Sequence, residues 1–213
     1  MIHLYTWGTP NGRKVSVMLE ESGLPYDVVP VDIGEGEQKK STFTEISPSN
    51  KIPVIIDDDG PNGHVFSAFE SNAILLYLAE KSGLLLSQDP VMRSKTMQWL
   101  FFQAAHVGAI FGQAHHFRRF SSIKSEYAIE RMTAEVRRSY GILDRQLEST
   151  GWIVGDYSIA DIACYPWIVF HEWCDIDLAE FPSVQDWFAR VSSRPGVQRG
   201  MDIPTPQNPD FLK

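Results

Sequence analysis

Between an apolar opening run, Ile2-His3-Leu4-Tyr5, and the helix-like stretch Arg13–Glu21, the sequence places Thr9-Pro10-Asn11-Gly12. A dithiol redox loop at such a strand-to-helix junction would read C-P-x-C. Here the proline is in frame, but Thr9 and Gly12 fill the two cysteine slots. The chain's two cysteines, Cys164 and Cys174, lie far downstream in apolar and aromatic surroundings. Their spacing fits neither C-x-x-C nor a zinc site, so both read as small buried hydrophobes. Any thiol used at the loop has to be brought in by a substrate.

Two further stretches carry binding chemistry. In "SNKIPVI" a proline stands between a loop and a buried-type strand, where it cannot donate to a ladder. A cis Ile52–Pro53 bond would account for it and would leave the Ile52 backbone ready to pair with an extended peptide ligand; a trans proline opening a strand is the plain alternative. In "FESNAILLYLAEK", Ser71 precedes an amphipathic helix. Its hydroxyl could simply cap that helix. The same helix N-terminus also suits a carboxylate, while Glu70 beside it suits an ammonium. A ligand with an α-amino acid end would satisfy both. A third stretch, "YSIADI", is structural: Ser158 and Asp161 form a capping-box pattern with an acid at the usual Glu/Gln position. His115 and His116, next to Phe117 and two arginines, invite a metal reading, but neighbouring side chains on a helix diverge by about 100°. No acidic or cysteine partner lies near them in sequence, so no metal is expected. Together with Phe111, they could line a second-substrate pocket or belong to core or interface.

These residues need a scaffold, and the first 82 positions supply one. Strand patterns at residues 2–7, 26–33, 53–57 and 65–67 alternate with helix patterns at 12–23, 39–46 and 70–82. That βαβ-ββα order predicts a thioredoxin-like α/β domain with a mixed four-stranded sheet. Residues 83–92, with a glycine, a proline and no period, read as a linker. Residues 93–213 read as an all-α helical-bundle domain contributing a second-substrate pocket and dimer contacts. Its helices fall near 91–119, 123–149, 158–173 and 183–194, with a proline-rich tail from Met201.

Composition narrows the classes. The formal charge of −8 argues against a nucleic-acid or anionic-membrane binder. It is unevenly spread, with six Lys/Arg against twelve Asp/Glu in residues 1–82. No apolar run is long enough to span a bilayer, and the first residues do not have the pattern of a secretory signal. A cytoplasmic protein of 213 residues, 43% hydrophobic, is the expectation.

"TPNGRK", "SPSNKIPVIID", "FESNAILLYLAEK" and "YSIADIACYPW", in this order and spacing, resemble the cytosolic glutathione transferases across essentially the whole chain. Asn11 and "YAIER" (residues 127–131) are most similar to the bacterial Nu-class branch and its yeast prion nitrogen-regulator-like relatives. The resemblance implies glutathione as co-substrate, with its cysteinyl backbone on Ile52 ahead of cis-Pro53 and its γ-glutamyl end on Glu70 and Ser71. It implies Gln38 and Lys51 at the glycyl end, Arg131 reaching the site, and a homodimer. It also implies that Asn11 and Thr9 face the sulfur and act as catalytic groups, in preference to Tyr5 in the first strand. A free thiol titrates near 8.5, so stabilising its thiolate is the task such donors would perform. The activity implied is glutathione-dependent reduction of small disulfides without an enzyme cysteine, with weak conjugation of electrophiles beside it. The alternatives are a non-catalytic glutathione-binding regulator or scaffold, or a glutathione-dependent isomerase or dehalogenase.

Overall fold

The computed structural model describes residues 1–205, which divide into two compact units: residues 1–84 with the segment from Arg194 onward, and residues 85–193. The expected division at 83–92 is therefore modified at both ends. The helix that follows begins at Pro90, capped by Asp89, and the chain after Ser193 returns to the first unit.

In the first unit, β1 (Ile2–Thr6), β2 (Tyr26–Pro30), β3 (Val54–Asp57) and β4 (Phe66–Phe69) form one sheet in the order β2-β1-β3-β4. β1 runs parallel to β2 and antiparallel to β3, and β3 runs antiparallel to β4. A parallel pair requires a crossover, which α1 (Pro10–Ser22) provides. The expected helix at 39–46 is a short 3₁₀ turn, Glu37–Lys39, followed by α2 (Ser41–Thr44). α3 (Ser71–Ser82) closes the βαβ-ββα plan, and Gly83 in the left-handed region ends it.

Gly12 to Leu19 are all buried, more than one amphipathic face can account for. The reason is α9 (Pro195–Met201), which the sequence pattern did not announce and which packs on α1 together with α3. A Cβ on Gly200 would lie 2.4 Å from Val17 Cα, so only glycine permits this approach. Ser16 Oγ donates to Gly200 O at 2.6 Å, and Arg194 and Arg199 pair with Glu21 and Glu20, both at 2.6 Å. The tail residues 206–213 lie outside the described residues.

The second unit is helical. The single helix expected over 91–119 is α4 (Pro90–Phe102) and α5 (Ala109–His115), each followed by a π-helical stretch, Gln103–Gly108 and His116–Phe120. After a turn come α6 (Glu126–Thr150), capped by Ser125, α7 (Ile159–Ile168) and α8 (Pro182–Ser192). α7 is shorter than expected. Pro166 removes a backbone donor, and the α-helix runs only two residues beyond it before a turn and a 3₁₀ segment, His171–Cys174. The capping box is present: Asp161 accepts from Ser158 N at 2.9 Å, Ile153 N at 3.1 Å and Trp187 Nε1 at 2.8 Å. Among the described residues no helix is long and apolar enough to cross a membrane.

Candidate functional site

The register of the sheet determines where the site can be. Tyr5 pairs with Val54, Val54 with Phe69, and Thr6 with Pro30. The loop after β1, the turn before β3, the segment after β4 and the segment after β2 therefore leave the sheet at one end. Those segments hold Thr9 and Asn11, Ile52 and Pro53, Glu70 and Ser71, and Gln38.

At the start of α1, Thr9 is the N-cap and its Oγ1 accepts from Gly12 N at 3.3 Å, with Pro10 as the first helical residue. A hydroxyl that accepts here retains its own hydrogen to donate. A Cβ on Gly12 would lie 2.2 Å from Trp7 O and 2.5 Å from Thr6 Oγ1. The second slot of the C-P-x-C pattern is thus closed to any side chain, cysteine included.

At the other side, Ser71 is not the cap of α3 but its first residue. The N-cap is Glu70, exposed, at φ 69 and ψ 109, and its side chain makes no capping hydrogen bond. A non-glycine residue in that region is uncommon and costs on the order of 1–3 kcal/mol. Glu70 lies between the end of β4 and the first residue of α3, so the helix start falls at this end of the sheet, and a helix N-terminus suits an anion. Ser71 Oγ accepts from the ammonium of Lys14 at 3.1 Å and donates to Asn11 Oδ1 at 3.5 Å, the outer limit of a hydrogen bond. Lys14 Nζ also donates to Asn72 Oδ1 at 3.1 Å. Asn11, Lys14 and Ser71 are therefore one connected group linking the two helix N-termini.

The Ile52–Pro53 bond is cis. Ser47, fully buried, holds the approach to it: its Oγ donates to Lys51 O at 2.9 Å and accepts from Lys51 N at 3.2 Å. Ile52 N and O have no backbone partner among the described residues. Lys51 is exposed. Gln38 Nε2 donates to Ile33 O at 3.3 Å, while its buried Oε1 has no partner among the described residues. Tyr5 packs against Val31, Phe43 and Val54.

Lys14 and Ser47 escaped the sequence reading. Lys14 had one signal: it falls one helical turn after Asn11 and so shares its face. Ser47 had none, since a loop serine four residues before a proline is unremarkable.

The remaining expected residues lie in the second unit. Arg131 is exposed on α6. Phe111 is 1% exposed and stacks on Tyr140 at 5.4 Å; His115 is 5% exposed among Trp167, Phe170 and Trp173. These two are interior to the helical unit, whereas His116 is exposed, so the three do not line one surface pocket of that unit. Neighbouring side chains on a helix diverge by about 100°, so His115 turns into an aromatic cage while His116 turns to solvent. Burial lowers the His115 pKa to about 4. Cys164 and Cys174 are buried and form no disulfide, and burial pushes the Cys174 thiol up to about 12. Among the described residues no cluster of three or more His, Cys, Asp or Glu side chains is placed to hold a metal.

A cysteine-free loop, a cis-proline turn and the start of α3 lie at one end of a four-stranded mixed sheet, and the chain also holds a separate helical unit. Residues 9–81 match the glutathione S-transferase N-terminal domain and residues 99–195 the glutathione S-transferase C-terminal domain. The chain belongs to the glutathione S-transferase family, in its Nu-class and Ure2-like branch. It is 46% identical over 203 residues to the disulfide-bond oxidoreductase YfcG of Escherichia coli (strain K12), covering 94% of each chain. A glutathione transferase from Pseudomonas putida, solved with one glutathione disulfide bound per subunit, superposes with a TM-score of 0.91 at 44% identity, over 95% of this chain and 91% of that one. Ure2p in complex with glutathione superposes with a TM-score of 0.87 at 34% identity, over 94% and 93%.

Proposed function

We propose that this chain is a glutathione-dependent thiol–disulfide oxidoreductase that reduces small disulfides with the sulfur of glutathione. The observation that carries this reading is a donor-lined loop in a redox position beside a chain whose only two thiols are buried. The similarity to YfcG and to a relative holding glutathione disulfide supports it.

Glutathione binds with its γ-glutamyl carboxylate at Ser71 and the α3 N-terminus, its amine near Glu70, and its cysteinyl backbone paired with Ile52. Lys51 and Gln38 hold the glycyl end. The sulfur then lies at the start of α1, where the Thr9 hydroxyl and the Asn11 amide donate to it. Lowering the thiol pKa by about two units requires about 2.7 kcal/mol of preference for the thiolate, within reach of two hydrogen bonds to an anion plus a helix N-terminus. The thiolate attacks one sulfur of a disulfide RSSR, forming the mixed disulfide and expelling RS⁻, which takes up a proton. A second glutathione thiolate attacks the mixed disulfide at the glutathione sulfur, releasing the second RSH and giving glutathione disulfide. The enzyme works in the cytoplasm as a homodimer.

The test is steady-state turnover of hydroxyethyl disulfide with glutathione in wild type and Asn11→Ala, beside an aryl-halide conjugation assay. The reading expects disulfide turnover that falls about 100-fold in the variant, the scale of losing one donor to a developing anion. Glutathione binding without turnover in either assay would overturn it in favour of a non-catalytic glutathione-binding protein.

A further inference from the structure

Lys14 is 2% exposed, on the face of α1 that meets the first turn of α3. Lysine is almost never buried to this degree, because its ammonium loses strong hydration. Here the ammonium is directed at the two residues that open α3, Ser71 Oγ and Asn72 Oδ1, both at 3.1 Å. Both acceptors are uncharged. A serine oxygen that accepts from an ammonium has its hydroxyl hydrogen directed away from that cation, and in this structure it turns to Asn11 Oδ1 at 3.5 Å. The hydroxyl thus stands between a positive charge on its inner side and the sheet end on its outer side, next to backbone amides that the N-cap residue Glu70 does not cap with its side chain.

The geometry points to Lys14 as a positioning residue that acts through Ser71 to make this subsite selective for a carboxylate, so that the enzyme accepts thiols carrying the γ-glutamyl α-carboxylate and rejects those without it. A donor polarised by an ammonium behind it is a stronger partner for an anion than for a neutral group. The charge also adds to the positive end of α3, in a setting too buried for solvent to screen it fully. Lys14 does not touch the ligand; Ser71 does. The inference rests on the placement of the γ-glutamyl end at Ser71 proposed above.

The experiment is a ligand-by-variant cycle in the full chain. Calorimetric Kd values are measured for glutathione and for γ-aminobutyryl-cysteinylglycine, which is glutathione without its α-carboxylate, in wild type, Lys14→Met and Lys14→Arg. Lys14→Met should raise the Kd for glutathione about 30-fold, equivalent to about 2 kcal/mol, and change that of the decarboxylated analogue less than about threefold. Lys14→Arg, which keeps the charge, should recover most of the glutathione affinity. Equal weakening of both ligands would mean Lys14 only supports the packing of α1 on α3, and no weakening of either would mean it has no part in binding; both overturn the inference. If Lys14→Met does not fold, Asn72→Ala removes one of the acceptors that aim the ammonium. It should weaken glutathione about three- to fivefold and leave the analogue unchanged, and the opposite pattern or none overturns the inference. A wild type that binds no glutathione refutes the proposed function itself, whereas a wild type that prefers glutathione to the analogue, with Lys14→Met showing the same preference, refutes only the role of Lys14.

Discussion

In the first unit, one set of buried polar groups runs toward one end of the sheet: Lys14 to Ser71, Ser71 to Asn11, Ser47 to the turn before Pro53. In the helical unit they close on themselves or stand alone. Asp161 takes donors from Ser158, Ile153 and Trp187 and reaches no surface, while His115 Nε2 and the Tyr140 hydroxyl have no hydrogen-bond partner among the described residues. The same kinds of side chain thus serve two ends. Where a polar chain terminates at a helix start it leaves groups available to the proposed ligand; where it closes within the core it fixes how segments join.

Substitutions that strike each arrangement test this contrast. The largest effect is expected from Asp161→Ala, which leaves the Ile153 and Ser158 amides and the Trp187 indole without their acceptor. Unsatisfied buried donors cost about 1–3 kcal/mol each, so denaturant unfolding followed by tryptophan fluorescence should show a loss of about 4 kcal/mol. A loss under about 1 kcal/mol would break the claim that Asp161 joins these segments.

His115 comes next. Its pKa falls to about 4, chiefly by burial and then by the charge of Arg119, while an unfolded histidine titrates near 6.5. The unfolded chain therefore takes up the proton first on acidification. Stability is whole above about pH 6.5 and declines as pH falls towards 4, by about 3 kcal/mol. His115→Phe, which keeps a ring in the aromatic cage, should flatten that acid limb in melts recorded between pH 4 and 7.

A matched pair of glycines follows. Gly12→Ala drives a methyl into the Trp7 carbonyl and should cost about 2 kcal/mol and weaken glutathione binding. Gly141→Ala, inside α6, meets only the flexible end of Arg145 at 3.7 Å and should stabilise by about 0.5–1 kcal/mol. Chemical denaturation of the two variants compares a glycine required by close approach with one that is not.

The smallest effect is at His3, whose ring nitrogens lie 2.8 Å from Asp27 and 3.2 Å from Asp58. These hydrogen bonds, Asp27 foremost, raise its pKa. Its contribution is therefore present below about pH 6.5 and lost as pH rises through the folded value, opposite in sign to that of His115. His3→Ala should abolish a slight decline in melting temperature over pH 6.5–8, an exposed-pair effect that salt weakens further.

Much of the first unit was legible because its signals are local. The alternation of strand and helix patterns gave the βαβ-ββα order, with most boundaries a residue or two from those observed, and the Ile52–Pro53 and Ser158–Asp161 motifs each carry their reason within a few residues. Asn11 and Ser71 were legible as candidates but not as neighbours, since sixty residues separate them and only the sheet register brings them to one end. For Phe111 and His115 the sequence left a pocket, the core and an interface open, because a helix's apolar residues say that something covers them and not what does. α9 was missed because its two glycines argue against a helix locally, although Gly200 is required by the approach to Val17.

The sequence by itself pointed to the class of chemistry: no cysteine at the redox position and a helix start suited to a carboxylate are stated by residue type and short-range spacing, and the family resemblance adds Asn11 and Thr9 as donors to a sulfur brought in. The tertiary structure alone decided that a lysine on α1 lies buried behind the serine that opens α3. That pairing depends on how two helices pack across one sheet, and the burial of a charge is a property of what surrounds it, which no neighbouring residue in the chain records.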